Sequence, residues 1–216
     1  MKITVLQPNL FPFKAYFDLI KKVDKVVFFD DSFYNSKTWV NKTVIKKNDR
    51  RFVFNINVID DGEETKLCDV KINCKNWKRN FLRIISSQYK TARNFPIVFP
   101  LIKEIINLPV ENICQISAYS IFRISQEFYD YKGEFILSSK KYKKIKSGSF
   151  RNKIIDICKY ERADHFYTFS MYRETFDSHY FTKNNISISY FESPNKAAYS
   201  CIDFLMNDLD LIKKIV

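Results

Sequence analysis

Residues 2–31, KITVLQPNLFPFKAYFDLIKKVDKVVFFDD, decide the fold class of this chain. KITVL is short, apolar and rich in β-branched side chains, the pattern of a buried strand. Pro8 and Pro12 each fix φ and remove a backbone donor, so Gln7 to Phe13 is expected to form a rigid loop leaving the strand's carboxyl end. In AYFDLIKKV, Tyr16 or Phe17 recurs with Leu19, Ile20 and Val23 at helical spacing, and KVVFFDD reads as a second strand that ends in two acids. A strand, loop, helix and strand in that order resolve into a parallel pair with their loops on one side.

Downstream, Phe33 to Asn41 is too mixed for a regular element, and Trp39 is expected to anchor it. TVIKKNDRRFVFNINVI predicts a β-hairpin turning at Asn48-Asp49, with Phe52, Phe54 and Ile56 on one face. Asp60 to Glu64 reads as a turn and KLCDVKI as a further strand. NWKRNFLRIISSQYKTA is amphipathic, with Trp77, Phe81, Ile84, Ile85 and Tyr89 on one side and basic residues largely on the other. Pro96 and Pro100 are expected to end that region, followed by helices over Leu101–Ile106 and Val110–Phe122, the latter begun by Pro109. EFIL reads as a strand, KKYKKIKSGS as a basic loop, FRNKIIDICKYERA as a helix and DHFYTFS as a strand. The next helix is expected over Tyr172–Lys183, with a turn at Asn184-Asn185, a strand in ISISYFES and a short last helix in YSCIDFLMND. Helices and strands alternate without linker or repeat, so the expectation is one α/β domain over residues 1–216 with a mostly parallel or mixed sheet and a hairpin.

The 216 residues are enough for one substantial core, and 46% hydrophobic with 28% charged residues fits a globular chain. No apolar run reaches the ~20 residues that span a bilayer, and the opening lacks the apolar core and cleavage site of a signal peptide, which predicts a cytoplasmic protein, peripheral to the inner membrane at most. Five cysteines, Cys68, Cys74, Cys114, Cys158 and Cys201, have neither even number nor zinc-like spacing, so they read as reduced thiols. The net charge of +12 attracts phosphates, anionic headgroups and nucleic acid alike. With no localised basic-aromatic repeat or reading helix, no specific nucleic-acid partner is expected. Three glycines, Gly62, Gly133 and Gly148, cannot build a dinucleotide or P-loop fingerprint, and no serine stands in a nucleophile elbow.

The segments QPNLFPFKAYFDLI (7–20), DKVVFFDDSFYNSKTWVNK (24–42), NWKRNFLRIISSQY (76–89), RADHFYTFSMYRETFDSHYFTKNNISISYF (162–191) and YSCIDFLMN (199–207) resemble, in order and spacing, the WbqC-like protein family. That resemblance implies a place among bacterial genes for O-antigen and other surface polysaccharides. It implies a nucleotide-activated or amino sugar as ligand, transfer of an acyl or aminoacyl group as the step, and other enzymes of the same pathway as partners. The chain departs from the family pattern at Phe81, where a histidine is usual, and at Phe33, Ser36, Lys42, Thr43 and Val44 in the first loops. It departs again at Phe169 and Tyr172, where glycines are common, and it is shorter between Phe191 and Tyr199. The departures leave a second reading, a catalytically reduced sugar-binding or scaffold protein.

The candidate site residues follow from strand ends. Gln7 leaves the first strand at the sheet edge where ligands bind, and its amide both donates and accepts. Asp30 and Asp31 end the second strand, where one carboxylate takes a proton from an amine or hydroxyl nucleophile. A magnesium ion beside phosphates is a weaker alternative, because adjacent strand residues point oppositely. Asn41 and Lys42, with Lys37 behind them, and Arg173 after the later strand complete the set, the cations facing phosphate. Capping, turn bonding and a solvated loop are the structural alternatives for these positions. His165 and His179 stand in no metal spacing, and Ser200 with Asp203 suits the start of the last helix.

Overall fold

The computed structural model describes residues 1–36, 39–59, 65–73, 76–145, 147–192 and 199–208. The opening segment folds as expected: strand β1 (Lys2–Leu6), helix α1 (Lys14–Ile20) and strand β2 (Lys25–Phe28). Strands β3 (Lys42–Lys47) and β4 (Arg50–Asn55) form the hairpin, and β5 (Val58–Ile59) pairs with β6 (Lys71–Ile72). Helices α2 (Trp77–Tyr89), α3 (Phe95–Ile106) and α4 (Ile113–Tyr129) lead to β7 (Glu134–Leu137), α5 (Ser138–Lys141) and α6 (Phe150–Tyr160). The chain continues through β8 (His165–Phe169), α7 (Ser178–Thr182), β9 (Ser187–Phe191) and α8 (Cys201–Asn207).

Five of these strands make one sheet in the order β7-β2-β1-β8-β9, with every neighbouring pair parallel. Strand alternation gives the sheet two apolar faces. Ile3, Val5, Val27, Phe29 and Phe166 face α6 and α7, where Ile154, Ile157, Cys158 and Phe181 meet them. Leu6, Val26, Phe28 and Phe169 face the opposite way, into a larger core built by α1, α2, α3, α4 and α8. The register aligns Leu6 with Phe28, and Phe28 with Leu137, so the carboxyl ends of these strands share one edge.

The hairpin turns at Asn48-Asp49, with φ of 50° and 57°, the left-handed pair that matches the twist of the flanking strands. Trp39 does not anchor the preceding loop: it is exposed beneath the Arg51 guanidinium, and Val40 is the buried residue there. KLCDVKI forms a 3-10 turn at Leu67–Asp69 followed by the short β6, because the amides of Leu67 and Cys68 are drawn to the carbonyls of Ser32 and Asp30. Pro96 and Pro100 lie within α3, Pro96 in the first turn where its missing N–H has no intrahelical acceptor. Asn112, not Pro109, begins α4 by accepting the Gln115 amide at 3.0 Å. Cys68, Cys114, Cys158 and Cys201 are free thiols, and burial pushes that of Cys158 up to about 12. The Asp60–Glu64 turn, Lys37, Cys74 and Lys146 lie outside the described residues. Among the described residues, no helix is long and apolar enough to cross a membrane.

Candidate functional site

From β1 the chain moves to β2 and then β7 on one side, crosses back, and adds β8 and β9 on the other. The order therefore reverses between β1 and β8, and an open α/β sheet offers its ligand crevice at the carboxyl ends on either side of such a reversal. Gln7 leaves β1 at that point. Its carbonyl accepts the Tyr16 hydroxyl, and its Nε2 donates to Ser32 Oγ at 3.3 Å, while Ser32 Oγ donates to the Phe29 carbonyl at 3.0 Å. Burial, reinforced by neighbouring Tyr172, raises the Tyr16 pKa, so its proton stays on the bond to Gln7. Phe13, Tyr16 and Phe169 pack ring to ring beneath this corner. Asn9 Oδ1 is buried without a hydrogen-bond partner.

The loop that carries Gln7 is held under strain. Phe11 adopts φ 47°, a left-handed value that a bulky side chain avoids. Its ring stacks on Phe81 at 5.6 Å, its amide donates to Ser120 Oγ at 3.4 Å and its carbonyl accepts Thr43 Oγ1 at 3.3 Å. Phe81 is 0% exposed and also meets Phe54 edge-on at 4.9 Å. The position where the family resemblance places a histidine is thus an apolar clamp on the loop.

Asp30 and Asp31 diverge. The buried Asp30 accepts the Ser139 amide at 2.8 Å and the Ser139 hydroxyl, which ties the end of β2 to the first turn of α5. Burial raises the Asp30 pKa, and the two Ser139 bonds partly offset that. Asp31 turns to the other face, where its Oδ2 pairs with Lys153 of α6 and its Oδ1 is buried without a hydrogen-bond partner. The two carboxylates take different partners, and among the described residues no group of three or more His, Cys, Asp or Glu side chains gathers to hold a metal.

The remaining candidates spread along the edge. Asn41 is buried and donates to Asn55 Oδ1 at 3.0 Å and the Ile56 carbonyl at 2.9 Å, closing the base of the hairpin. Lys42 donates to the Ser36 carbonyl at 2.5 Å. Arg173 stacks on Tyr190, 4.2 Å from the ring centre, in an open cleft of about 450 Å³ lined by Glu174, Asp177 and Ser178. Gln7 thus stands between Asp31, beyond β2, and Arg173, beyond β8. His165 begins β8 at the opposite edge and bonds Ser189 Oγ at 2.8 Å; burial lowers its pKa. Ser200 caps α8 by accepting the Ile202 amide, and Asp203 in its first turn accepts the Tyr89 hydroxyl.

Ser32 and Lys153 are candidates that the sequence alone does not single out. Ser32 directly follows the two acids that sequence reading singled out, which was a usable signal. Lys153 reads as one more charge on an amphipathic helix, and only the crossing of α6 over the sheet brings it to Asp31.

A family model described as the WbqC-like protein family matches residues 7–207. An uncharacterized protein of Mycobacterium tuberculosis (strain ATCC 25618 / H37Rv) is 28% identical over 95 residues, which cover 44% of this chain and 41% of that protein. The match therefore spans about two fifths of that relative. No solved structure matches the chain.

Proposed function

The chain belongs to the WbqC-like protein family, and from that premise we propose that it acts as a transferase-like or accessory enzyme on a nucleotide-activated or amino sugar during bacterial surface-polysaccharide assembly. The observation that carries this reading is the Gln7–Ser32 pair, set at the reversal of strand order with Asp31 on one flank and Arg173 on the other. Gln7 orients a hydroxyl or carbonyl of the sugar, since its amide presents both donor and acceptor. Asp31, paired through Oδ2 with Lys153, is the carboxylate assigned to take the proton of an attacking amine or hydroxyl. Arg173, its plane set by Tyr190, faces the phosphate side of the ligand. Asp30, Asn41 and Lys42 serve this site by fixing the loops around it.

Calorimetric titration with a panel of nucleotide sugars, their parent nucleotides and free sugars tests the reading. A nucleotide sugar should bind best, and Gln7→Ala should weaken it about 3- to 10-fold, the loss of one neutral hydrogen bond. Equal affinity for the variant would remove Gln7 from the site. The second reading, a binding or scaffold protein with reduced catalysis, is favoured by Phe81, which puts a ring without titratable groups where the resemblance places a histidine. Turnover by the wild type that disappears in a folded Asp31→Asn variant would eliminate it.

A further inference from the structure

The first turn of α6 carries Arg151 and Lys153, two residues apart and so about 200° apart around the helix. They reach in different directions. Lys153 goes to Asp31, just past the end of β2. Arg151 goes to Tyr180 of α7, the helix that joins β8 to β9, with its guanidinium carbon 4.1 Å from the ring centre. Helix α7 packs against β8 and β9, so this turn runs from the end of β2 toward the β8–β9 side of the same sheet face.

Arg151 is held but not neutralised. The Tyr180 hydroxyl donates to Asn152 Oδ1 at 2.6 Å, which fixes the ring that fixes the guanidinium. The Arg151 Nε is buried without a hydrogen-bond partner, and among the described residues no carboxylate pairs with Arg151. Its neighbours differ: Lys153 has Asp31, Asp156 takes the Ser147 hydroxyl, and elsewhere Arg123 has Glu104 at 2.9 Å. A buried N–H without an acceptor is costly, and a stacked guanidinium presents a flat fork with its plane already set. That fork matches two oxygens of one phosphate, the geometry in which arginine binds oxyanions most tightly.

We infer that Arg151, stacked on Tyr180 in the first turn of α6, is a phosphate-binding residue of the carboxyl-edge site, so that the ligand is a phosphate or diphosphate ester. The inference rests on the proposed placement of the site and names the anionic part of its ligand. It also divides the labour of the cations: Lys153 orders Asp31, while Arg151 is left for the ligand.

Inorganic pyrophosphate, UDP-N-acetylglucosamine and citrate are titrated into the wild-type chain and into Arg151→Gln, Arg151→Lys and Lys132→Gln variants, with thermal unfolding recorded for each. Pyrophosphate and the UDP-sugar should bind the wild type, and citrate, the carboxylate control, should bind more weakly. Arg151→Gln should lose about tenfold or more in affinity for both phosphate ligands, as for a charge-assisted hydrogen bond. Arg151→Lys keeps the charge without the plane and should lose about 3- to 10-fold, and it decides the matter if the glutamine variant does not fold. Lys132→Gln, at the opposite edge, should bind as the wild type does. A UDP-sugar that binds wild type and both Arg151 variants equally would overturn the role of Arg151 and leave the proposed function standing. Citrate binding as tightly as pyrophosphate would overturn the phosphate assignment. Absence of binding by any phosphate ligand to the wild type would overturn the inference and the nucleotide-sugar form of the proposed function, leaving only its amino-sugar form.

Discussion

Glu161 offers the sharpest quantitative check on the packing of this sheet. Its carboxylate, 6% exposed at the end of α6, meets Lys25 from β2, Lys141 at 2.8 Å and the Tyr142 hydroxyl at 2.7 Å. Burial alone would raise its pKa, but the donors Lys141, Lys25 and Tyr142 outweigh burial and hold it at about 2, against an ordinary 4.5. A folded-state pKa below the unfolded value means stabilisation that is complete above about pH 4.5 and lost as pH falls toward 2. The depression corresponds to at most about 3 kcal/mol. Replacing Glu161 with Gln leaves Lys25, 11% exposed, with only the half-exposed Glu134 at 2.9 Å. The expected cost at pH 7 is therefore about 2–3 kcal/mol, below the ~3–5 kcal/mol of a buried charge left with no partner. Urea unfolding of wild type and Glu161→Gln at pH 7 and pH 3 reads this directly: the gap should shrink to about 1 kcal/mol at pH 3. A gap of equal size at both pH values, or one under about 1 kcal/mol at pH 7, would refute the assignment of Glu161 as the hub of the network.

Phe81→Ala should cost about 3–5 kcal/mol in urea unfolding, because removing a fully buried ring leaves a cavity against Phe11 and Phe54 and takes away their shared ring partner; a loss under about 1 kcal/mol would deny the clamp. Ser139→Ala removes the hydroxyl bond to the Asp30 carboxylate but keeps the amide bond, so a loss of about 1.5–3 kcal/mol is expected by the same method.

The strand, proline loop, helix and strand at the start were legible because each element rests on local rules: β-branched runs, two prolines and a helical spacing. The Asn48-Asp49 turn was legible for the same reason, since only residues that tolerate positive φ suit both central positions of such a turn. What sequence could not give was set by tertiary partners. The helix expected over Tyr172–Lys183 is confined to Ser178–Thr182, because Phe176 is drawn into the core against Phe166 and Phe181 and Asp177 caps the chain only afterwards. The strand order, with its reversal between β1 and β8, depends on pairings across more than a hundred residues. The proposed site follows the same division. Gln7 and Asp31 announce themselves at strand ends, whereas Arg151 looks like the solvated side of an amphipathic helix until Tyr180 and the crossing of α6 are in place.

The proposed site lies where strand order reverses, and backbone amide shifts mapped during a UDP-N-acetylglucosamine titration locate the ligand. Perturbations should group at Gln7, Asn9, Ser32, Arg151 and Ser170 to Arg173. Perturbations grouped instead around Lys21, Tyr129 and Lys132, which line an open cleft of about 570 Å³ at the opposite edge, would contradict it.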